Sequence, residues 1–248
     1  MALHVGTSGF AYKEWKPDFY PADLPQARFL DHYGRVLTAC EINATFYRLQ
    51  GADTIAGWAS RVPAGFRFAA KAHRGLTHGR AWPPGSDDGG AFLHRFLDTL
   101  AGFGDRLGAV LIQFPPYRRR DDDGLRDLMA TLPPGTPFAL EFRHESWEDP
   151  AVAEAVAAGG GTVCLSDTTG DVPEALPPGP RAYVRLRAER YTPEARDGWR
   201  DLLAREAITR DVFAFAKHEG VPAGDPFAGV GLAEWLCLAA AEHRRIPR

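Results

Sequence analysis

The sequence predicts an α/β fold, a closed (β/α) barrel of the TIM type, from three observations. The chain has 248 residues, eight short apolar runs recur along it, and helix-like patterns lie between most of these runs. Eight strand–helix units in about 250 residues are typical of such a barrel. An open doubly wound sheet is less favoured, because the segment Thr7–Phe10 lacks the glycine spacing of a phosphate-binding turn. No long linker divides the chain, so we expect one domain over residues 1–248.

Each apolar run is short and contains β-branched or aromatic residues, as expected for a parallel strand that is buried on both faces. The predicted strands are, in chain order, Leu3–Thr7, Ala39–Asn43, Phe66–Lys71, Ala109–Phe114, Phe138–Phe142, Thr162–Ser166, Ala182–Arg187 and Val212–Lys217. Parallel neighbours need a crossover connection, so we expect helices between these strands.

Helices are predicted from capping residues and from the spacing of apolar residues. Asp149-Pro150 and Thr192-Pro193 each place an N-cap residue before a proline that suits the first helical position. Two sets of residues have the spacing of one helical face: Phe92, Leu93, Phe96, Leu97 and Leu100, and Trp199, Leu202 and Leu203. The segment Asp171–Pro180 is too short and proline-rich for a full helix, so the helix after strand six should be reduced or missing.

The composition narrows the class of protein. Hydrophobic residues make up 45% and charged residues 25%, which excludes a disordered chain, and the net charge of −3 gives no general attraction to nucleic acid or to an anionic membrane. No signal-peptide pattern and no apolar stretch long enough for a membrane span is visible. The three cysteines lack C-x-x-C spacing and are interpreted as reduced thiols. We therefore expect a cytoplasmic protein.

Polar residues are concentrated where the predicted strands end. Charged groups are costly inside buried strands but are tolerated at the carboxyl ends, where a barrel has its active-site mouth. Three pairs lie two positions apart and should therefore point together toward the barrel axis: Glu41 with Asn43, Glu141 with Arg143, and Arg185 with Arg187. A buried ion-pair lattice that only fills the barrel is the alternative interpretation.

Other strands and loops supply further candidates at the same end. The strand-end candidates are Lys71, His73, Gln113, Asp167, Lys217 and His218. Ser8 follows strand one, and the aromatic residues that could line a pocket are Tyr12, Trp15, Tyr47 and Trp147. Only four of the 29 cationic residues are lysines, and two of them, Lys71 and Lys217, end strands. A buried lysine can have a lowered pKa, whereas arginine stays charged.

Ten motifs of this chain match a known family in order and over nearly the whole length. They are Val5–Phe10, Tyr12–Trp15, Phe19–Pro21, Glu41–Tyr47, Phe66–Phe68 with Lys71, Thr77-His78, Leu111–Pro116, Glu141–Trp147, Asp167 and Tyr183–Leu186. The chain thus resembles the YecE-like family, also called domain of unknown function 72. The resemblance implies a TIM-type barrel but no activity.

The chain departs from this family at two positions that adjoin the candidate site. Many members carry His-Gly where this chain has Arg187-Ala188, and many carry Asn-Asn where it has Lys217-His218. Roles at these positions are therefore not carried over. The family looks like a relative of TIM-barrel phosphodiesterases and sugar isomerases of the endonuclease IV and xylose isomerase type, which is an analogy of fold.

Three functional hypotheses follow. The favoured one is an enzyme that binds a small phosphate- or carboxylate-bearing substrate at the barrel mouth and uses acid–base chemistry. Glu141 or Asp167 would be the general base, Lys71 a charge stabiliser or proton donor, and Lys217 a further catalytic cation. The remaining candidates of the strand ends and loops would bind substrate. The sequence assigns no cofactor.

The two alternatives belong to other classes. A metal-dependent phosphodiesterase would use His73, Glu41, Glu141, Asp167 and His218 as ligands, but the spacing of a known metal motif is missing and cations interleave with these carboxylates. A non-catalytic nucleic-acid-binding module would use Arg118–Arg120 with Trp15, Trp82 and Trp147, but no basic stripe is evident.

Overall fold

The computed structural model describes residues 1–79, 82, 87–217 and 220–243. In these residues nine parallel strands form one sheet with the order β6-β5-β4-β3-β2-β1-β9-β8-β7. The strands are β1 Leu3–Ser8, β2 Ala39–Ile42, β3 Arg67–Lys71, β4 Leu107–Gln113, β5 Phe138–Glu141, β6 Thr162–Val163, β7 Leu165–Asp167, β8 Arg181–Leu186 and β9 Asp211–Ala216.

The sheet is nearly closed into a barrel, because its two edge strands follow each other in the chain. Only Cys164 separates β6 from β7, and its N–H donates to the carbonyl of Leu140 on β5 at 2.8 Å. On the other side β7 pairs with β8, with Ser166 opposite Arg185. The predicted TIM-type fold is confirmed; the count differs from the predicted eight because the sixth predicted strand is interrupted at Cys164.

Helices surround the sheet. In the described ranges they are α1 Phe29–Val36, α2 Ala44–Tyr47, α3 Ala52–Ala59, α4 Asp87–Leu100, α5 Asp122–Thr131, α6 Pro150–Ala158, α7 Pro193–Glu206 and α8 Gly229–His243. Short 3-10 helices span Lys13–Trp15, Gln26–Arg28, Arg74–Leu76, Ala101–Arg106 and Glu145–Trp147. Asp149 and Thr192 cap α6 and α7 as predicted, by accepting from the N–H groups of Ala151 and Ala195. No helix lies in residues 168–180, as the proline-rich segment predicted.

Two hydrophobic clusters hold the fold together. The larger one lies between the strands and the helices and contains the buried aromatic residues Tyr20, Phe29 and Tyr33. The smaller one consists of Ala39, Ala69, Ala109, Leu111, Ala139, Cys164, Tyr183, Phe213 and Phe215. Every member of the smaller cluster except Cys164 belongs to a strand, and this cluster fills the barrel interior below the polar strand ends.

Two further findings bear on the class of protein. Within the described part of the chain, no helix has the length and apolar character needed to cross a membrane. None of the three cysteines forms a disulfide, and Cys40 and Cys164 are buried. Residence in the cytoplasm stays a prediction.

Candidate functional site

The polar strand ends form one layer across the barrel. Seven of its residues lie two positions along the chain after a member of the smaller apolar cluster, within a strand or just past its end, so the period of two points both side chains inward. These residues are Glu41, Lys71, Gln113, Glu141, Ser166, Arg185 and Lys217. Ser8 completes the layer, because it pairs with Glu41 across β1 and β2.

Glu41 is fully buried and its carboxylate has four donors. Ser8 Oγ donates at 2.6 Å and the Tyr183 hydroxyl at 2.8 Å. The guanidinium groups of Arg185 and Arg187 donate at 2.9 and 3.4 Å. Burial acts to raise the pKa of Glu41, but the two guanidinium groups and these hydrogen bonds lower it to about 2. Glu41 therefore stays ionised and positions its neighbours.

Arg185 connects the two buried carboxylates of the layer. One terminal nitrogen contacts Glu41, and the other lies 2.8 Å from Oε2 of Glu141. Glu141 Oε2 also accepts from Gln113 Nε2 at 2.7 Å, whereas Oε1 has a longer contact of 3.3 Å with Arg143 Nε. Burial acts to lower the pKa of Arg185, but the two carboxylates raise it above its usual value. Oε1 is thus the less occupied oxygen of Glu141.

A cavity of about 950 Å³ opens above this layer. Its lining residues are Ser8, Tyr12, Asn43, Tyr47, Lys71, Pro116, Glu141, Phe142, Arg143, Glu148, Ser166, Thr168, Arg185, Arg187 and Lys217. Five of these are cations and two are carboxylates, and Glu41 beneath them adds a third carboxylate. The described residues therefore leave an excess of two positive charges, which favours an anionic ligand.

Lys71 differs from the arginines around it. Its side chain is buried, and Nζ lies 4.1 Å from the centre of the Phe46 ring. Among the described residues no carboxylate approaches Nζ within 4.0 Å. Burial first, and then the charge of Arg185, lowers the pKa of Lys71 to about 8. This amine can therefore gain or lose a proton near neutral pH.

The mouth of the cavity carries polar groups from the first two loops. The Tyr12 hydroxyl donates to the Ser8 carbonyl at 2.7 Å, and Arg187 donates to Ser8 Oγ. Tyr47 is exposed at the rim. Oδ1 of Asn43 is buried and has no hydrogen-bond partner among the described residues. An unpaired buried acceptor is costly to keep.

Asp167 does not join the charged layer, so this expectation is wrong. Its Oδ1 accepts from the N–H groups of Thr169 and Gly170, and the Tyr191 hydroxyl donates to Oδ2 at 2.6 Å. Ser166 and Thr168 line the cavity instead. Side-chain alternation predicts this result. Cys164 faces the barrel interior, so Ser166 shares its face and Asp167 points to the opposite one.

Four other sequence candidates support the site without lining the cavity. Trp15 packs among aromatic side chains, with its ring centre 5.8 Å from that of Tyr20, and Trp147 stacks on Phe142 at 4.2 Å. His73 accepts from the N–H of Gly75, and Gln113 lies beneath Glu141. The expectation that Trp15 and Trp147 line the pocket is wrong, because both are buried in the hydrophobic core. His218 lies outside the described residues.

Several cavity residues were not among the candidates. Arg187, just past the end of β8, faces inward as its spacing of two from Arg185 predicts, but the sequence assigned it no role in the site. Phe142, between the inward-facing Glu141 and Arg143, also lines the cavity. Glu148 comes from the loop before α6, where no strand periodicity applies.

The two alternative functions receive little support from the side-chain positions. In the described part of the chain the candidate metal ligands are not grouped, and two of the candidate nucleic-acid-binding arginines already have partners within the protein. In the described ranges, no group of three His, Cys, Asp or Glu side chains is placed to hold a metal ion. Arg118 donates to the Thr77 carbonyl, and Arg120 pairs with Asp122 and Asp149. Trp15 and Trp147 are buried, so two of the three tryptophans proposed for stacking on bases do not face solvent.

Comparison with known proteins connects this geometry with a family. The sequence pattern described as "Protein of unknown function DUF72" matches residues 4–233. The UPF0759 protein YunF of Bacillus subtilis is 28% identical over 158 residues, which are 61% of this chain and 54% of that protein. The aligned region thus spans about half the length of this curated relative.

Solved structures with the same fold come from two bacteria. A DUF72 family protein from Thermotoga maritima superposes with a TM-score of 0.72 and 21% identity, over 99% of this chain and 98% of the other. A DUF72 family protein from Enterococcus faecalis gives a TM-score of 0.71 and 16% identity, with the same coverage. At these identities the likeness shows the fold alone.

Proposed function

The chain belongs to the family of proteins of unknown function DUF72, and we propose that the charged mouth of its barrel binds a small anionic substrate. The substrate carries a phosphate or a carboxylate, and the site acts on it by acid–base chemistry. One observation supports this above all: five cations line one cavity at the carboxyl ends of the strands. This is the end where TIM-type barrels hold their active sites.

The cations divide into two groups with different tasks. Arg185 is engaged by Glu41 and Glu141, so it holds the layer together. Lys217 and Arg143 have more exposed side chains and would contact the anionic group of the substrate. Arginine can bind a phosphate or carboxylate with two parallel hydrogen bonds, and lysine adds a compact charge.

Acid–base roles follow from the remaining groups. Glu141 lines the cavity and its Oε1 has one long contact, so this carboxylate would be the base that accepts a proton from the substrate. Lys71 would donate a proton or stabilise developing negative charge, because its pKa of about 8 lies near neutrality. Glu41, with four donors, keeps the arginines in place.

Anion binding is tested with inorganic phosphate and oxalate as probes. Both should raise the thermal unfolding midpoint, by an amount that grows with the logarithm of the ligand concentration once this exceeds the Kd, and added sodium chloride should weaken the effect. Arg143→Met and Lys217→Met should each weaken binding about tenfold, which is the loss of roughly 1.4 kcal/mol. The matched control is Arg126→Met, because Arg126 is an exposed arginine on α5 that pairs with Asp123.

Two results would count against the proposal. One is a wild-type protein that neither anion stabilises at any concentration; the other is an equal loss of binding in the Arg126→Met control. Chemistry is tested separately by a screen of phosphorylated and carboxylated metabolites with wild type and Glu141→Gln. Turnover that the variant loses while phosphate binding persists would support the role of Glu141 as the base.

A further inference from the structure

We propose that Lys71 is a nucleophile, and that its amine condenses with the aldehyde or ketone group of an anionic substrate to form an iminium. This inference rests on the proposed function, because it names the substrate class of the same site. The substrate would be a small carbonyl compound that carries a carboxylate or a phosphate.

The position of the amine carries the argument. Lys71 ends β3, its side chain is only 8% exposed, and Nζ lies against the face of the Phe46 ring at 4.1 Å. It lines the cavity but forms no ion pair with any described carboxylate, whereas Arg185 pairs with both buried carboxylates of the layer. A lysine without a carboxylate partner and beside other cations is the arrangement that activates an amine as a nucleophile.

The neutral amine is also populated. The pKa of Lys71 is lowered to about 8, first by burial and then by Arg185. Roughly one molecule in ten therefore has the free base at pH 7, compared with fewer than about one in a thousand for an ordinary lysine. Nucleophilic attack needs the lone pair of this free base.

The surrounding cations would bring the carbonyl carbon to the amine. Lys217, Arg143 and Arg187 line the same cavity and would hold the anionic group of the substrate. A carbonyl a few atoms away from that group can then reach Nζ. Neutral aldehydes lack this attraction, so they should react more slowly than anionic ones of similar size.

The reaction balances without an oxidant or a metal. The lone pair of Nζ forms a bond to the carbonyl carbon, and the C=O π pair moves to oxygen. A proton passes from nitrogen to that oxygen through water, which gives a carbinolamine. The hydroxyl takes one further proton from the solvent and leaves as water, and the nitrogen lone pair forms the positively charged C=N bond.

The test uses glyoxylate as the anionic aldehyde and cyanoborohydride to reduce the iminium to a stable carboxymethyl adduct. The chain has only four lysines, so peptide mapping by mass spectrometry can follow each of them. At pH 7, Lys71 should be labelled about tenfold faster than Lys13, Lys16 or Lys217, because its larger free-base fraction outweighs its lower basicity. Phosphate should slow the labelling of the two lysines that line the cavity, Lys71 and Lys217, but not that of Lys13 or Lys16.

The outcomes separate this inference from the proposed function. Fast labelling of Lys71 by glyoxylate, with slow labelling by acetaldehyde, supports both. If all four lysines react equally, the nucleophile is overturned, while stabilisation by phosphate still supports the anion site. If acetaldehyde and glyoxylate label Lys71 equally fast and phosphate does not protect it, the amine is reactive but the named substrate class is overturned. Wild type supplies these results, so no variant has to fold.

Discussion

Arg185 Nη2 lies 2.9 Å from Oε1 of Glu41, although the two residues are 144 positions apart in the chain. Glu41 is on β2 and Arg185 on β8, so this ion pair spans the inside of the barrel. Both side chains are almost fully buried. The pair therefore fixes the floor of the cavity, and its members are needed in their ionised forms.

The first prediction concerns the removal of Arg185. Arg185→Met leaves Glu41 and Glu141 without their shared cation in a buried layer, so the free energy of unfolding should fall by about 3–5 kcal/mol. Urea denaturation monitored by tryptophan fluorescence measures this loss. Arg126→Met removes an exposed ion pair instead and should change stability by less than about 1 kcal/mol. Similar losses in both variants would contradict a supporting role for the buried layer.

The second prediction concerns acid. The pKa of Glu41 is lowered from 4.5 to about 2 on folding, so the unfolded chain binds the proton more tightly. Its stabilising contribution is complete above pH 4.5 and is lost as the pH falls toward 2. The stability difference between wild type and Glu41→Gln should shrink by about 2–3 kcal/mol over this interval. Urea titrations at each pH measure it; a constant difference would argue against the lowered pKa.

The third prediction concerns Lys71. Its pKa is lowered from 10.5 to about 8 by burial, so folding opposes its charge at neutral pH. Lys71→Met should stabilise the protein at pH 7 by roughly 1–3 kcal/mol, and this gain should fade as the pH rises from 8 to 10.5. Lys217→Met is the control, because Lys217 lines the same cavity but is less buried. A destabilised Lys71→Met variant at pH 7 would show that the ammonium has a partner.

The fourth prediction separates Asp167 from the binding site. Asp167→Asn weakens the acceptor for the N–H groups of Thr169 and Gly170 and for the Tyr191 hydroxyl. The free energy of unfolding should fall by about 1–3 kcal/mol, whereas the affinity for phosphate should stay within about twofold of wild type. Thermal unfolding with and without phosphate gives both quantities. A large loss of affinity for phosphate with little loss of stability would indicate that Asp167 belongs to the binding site after all.

Periodicity within a strand was sufficient for much of the site. The spacing of two that joins Glu41 to Asn43 and Arg185 to Arg187 predicts which side chains point inward, and all four line or underlie the cavity. This succeeds because the side-chain alternation of a strand is local and needs no knowledge of its neighbours. At Asp167 the rule needs the right starting point: Cys164 faces the barrel interior, so Ser166 faces the cavity and Asp167 points away from it.

Burial of the loop aromatics was not predictable in this way. Trp15 follows Tyr12 in the first loop, and both were expected at the pocket. Tyr12 lines the cavity, while Trp15 packs against Phe19, Tyr20 and Tyr33. Loop residues have no fixed alternation, so their direction depends on which hydrophobic neighbours the folded chain supplies.

The sequence by itself determined the barrel, its strands and the charged layer at their carboxyl ends, because strand length, side-chain alternation and helix capping are properties of short segments. The tertiary structure alone decided which charges pair. Arg185 forms ion pairs with both Glu41 and Glu141. Lys71 Nζ instead lies against the Phe46 ring and forms no ion pair with a carboxylate among the described residues. That distribution depends on the register of strands far apart in the chain, and it sets the pKa values on which acid–base chemistry would rely.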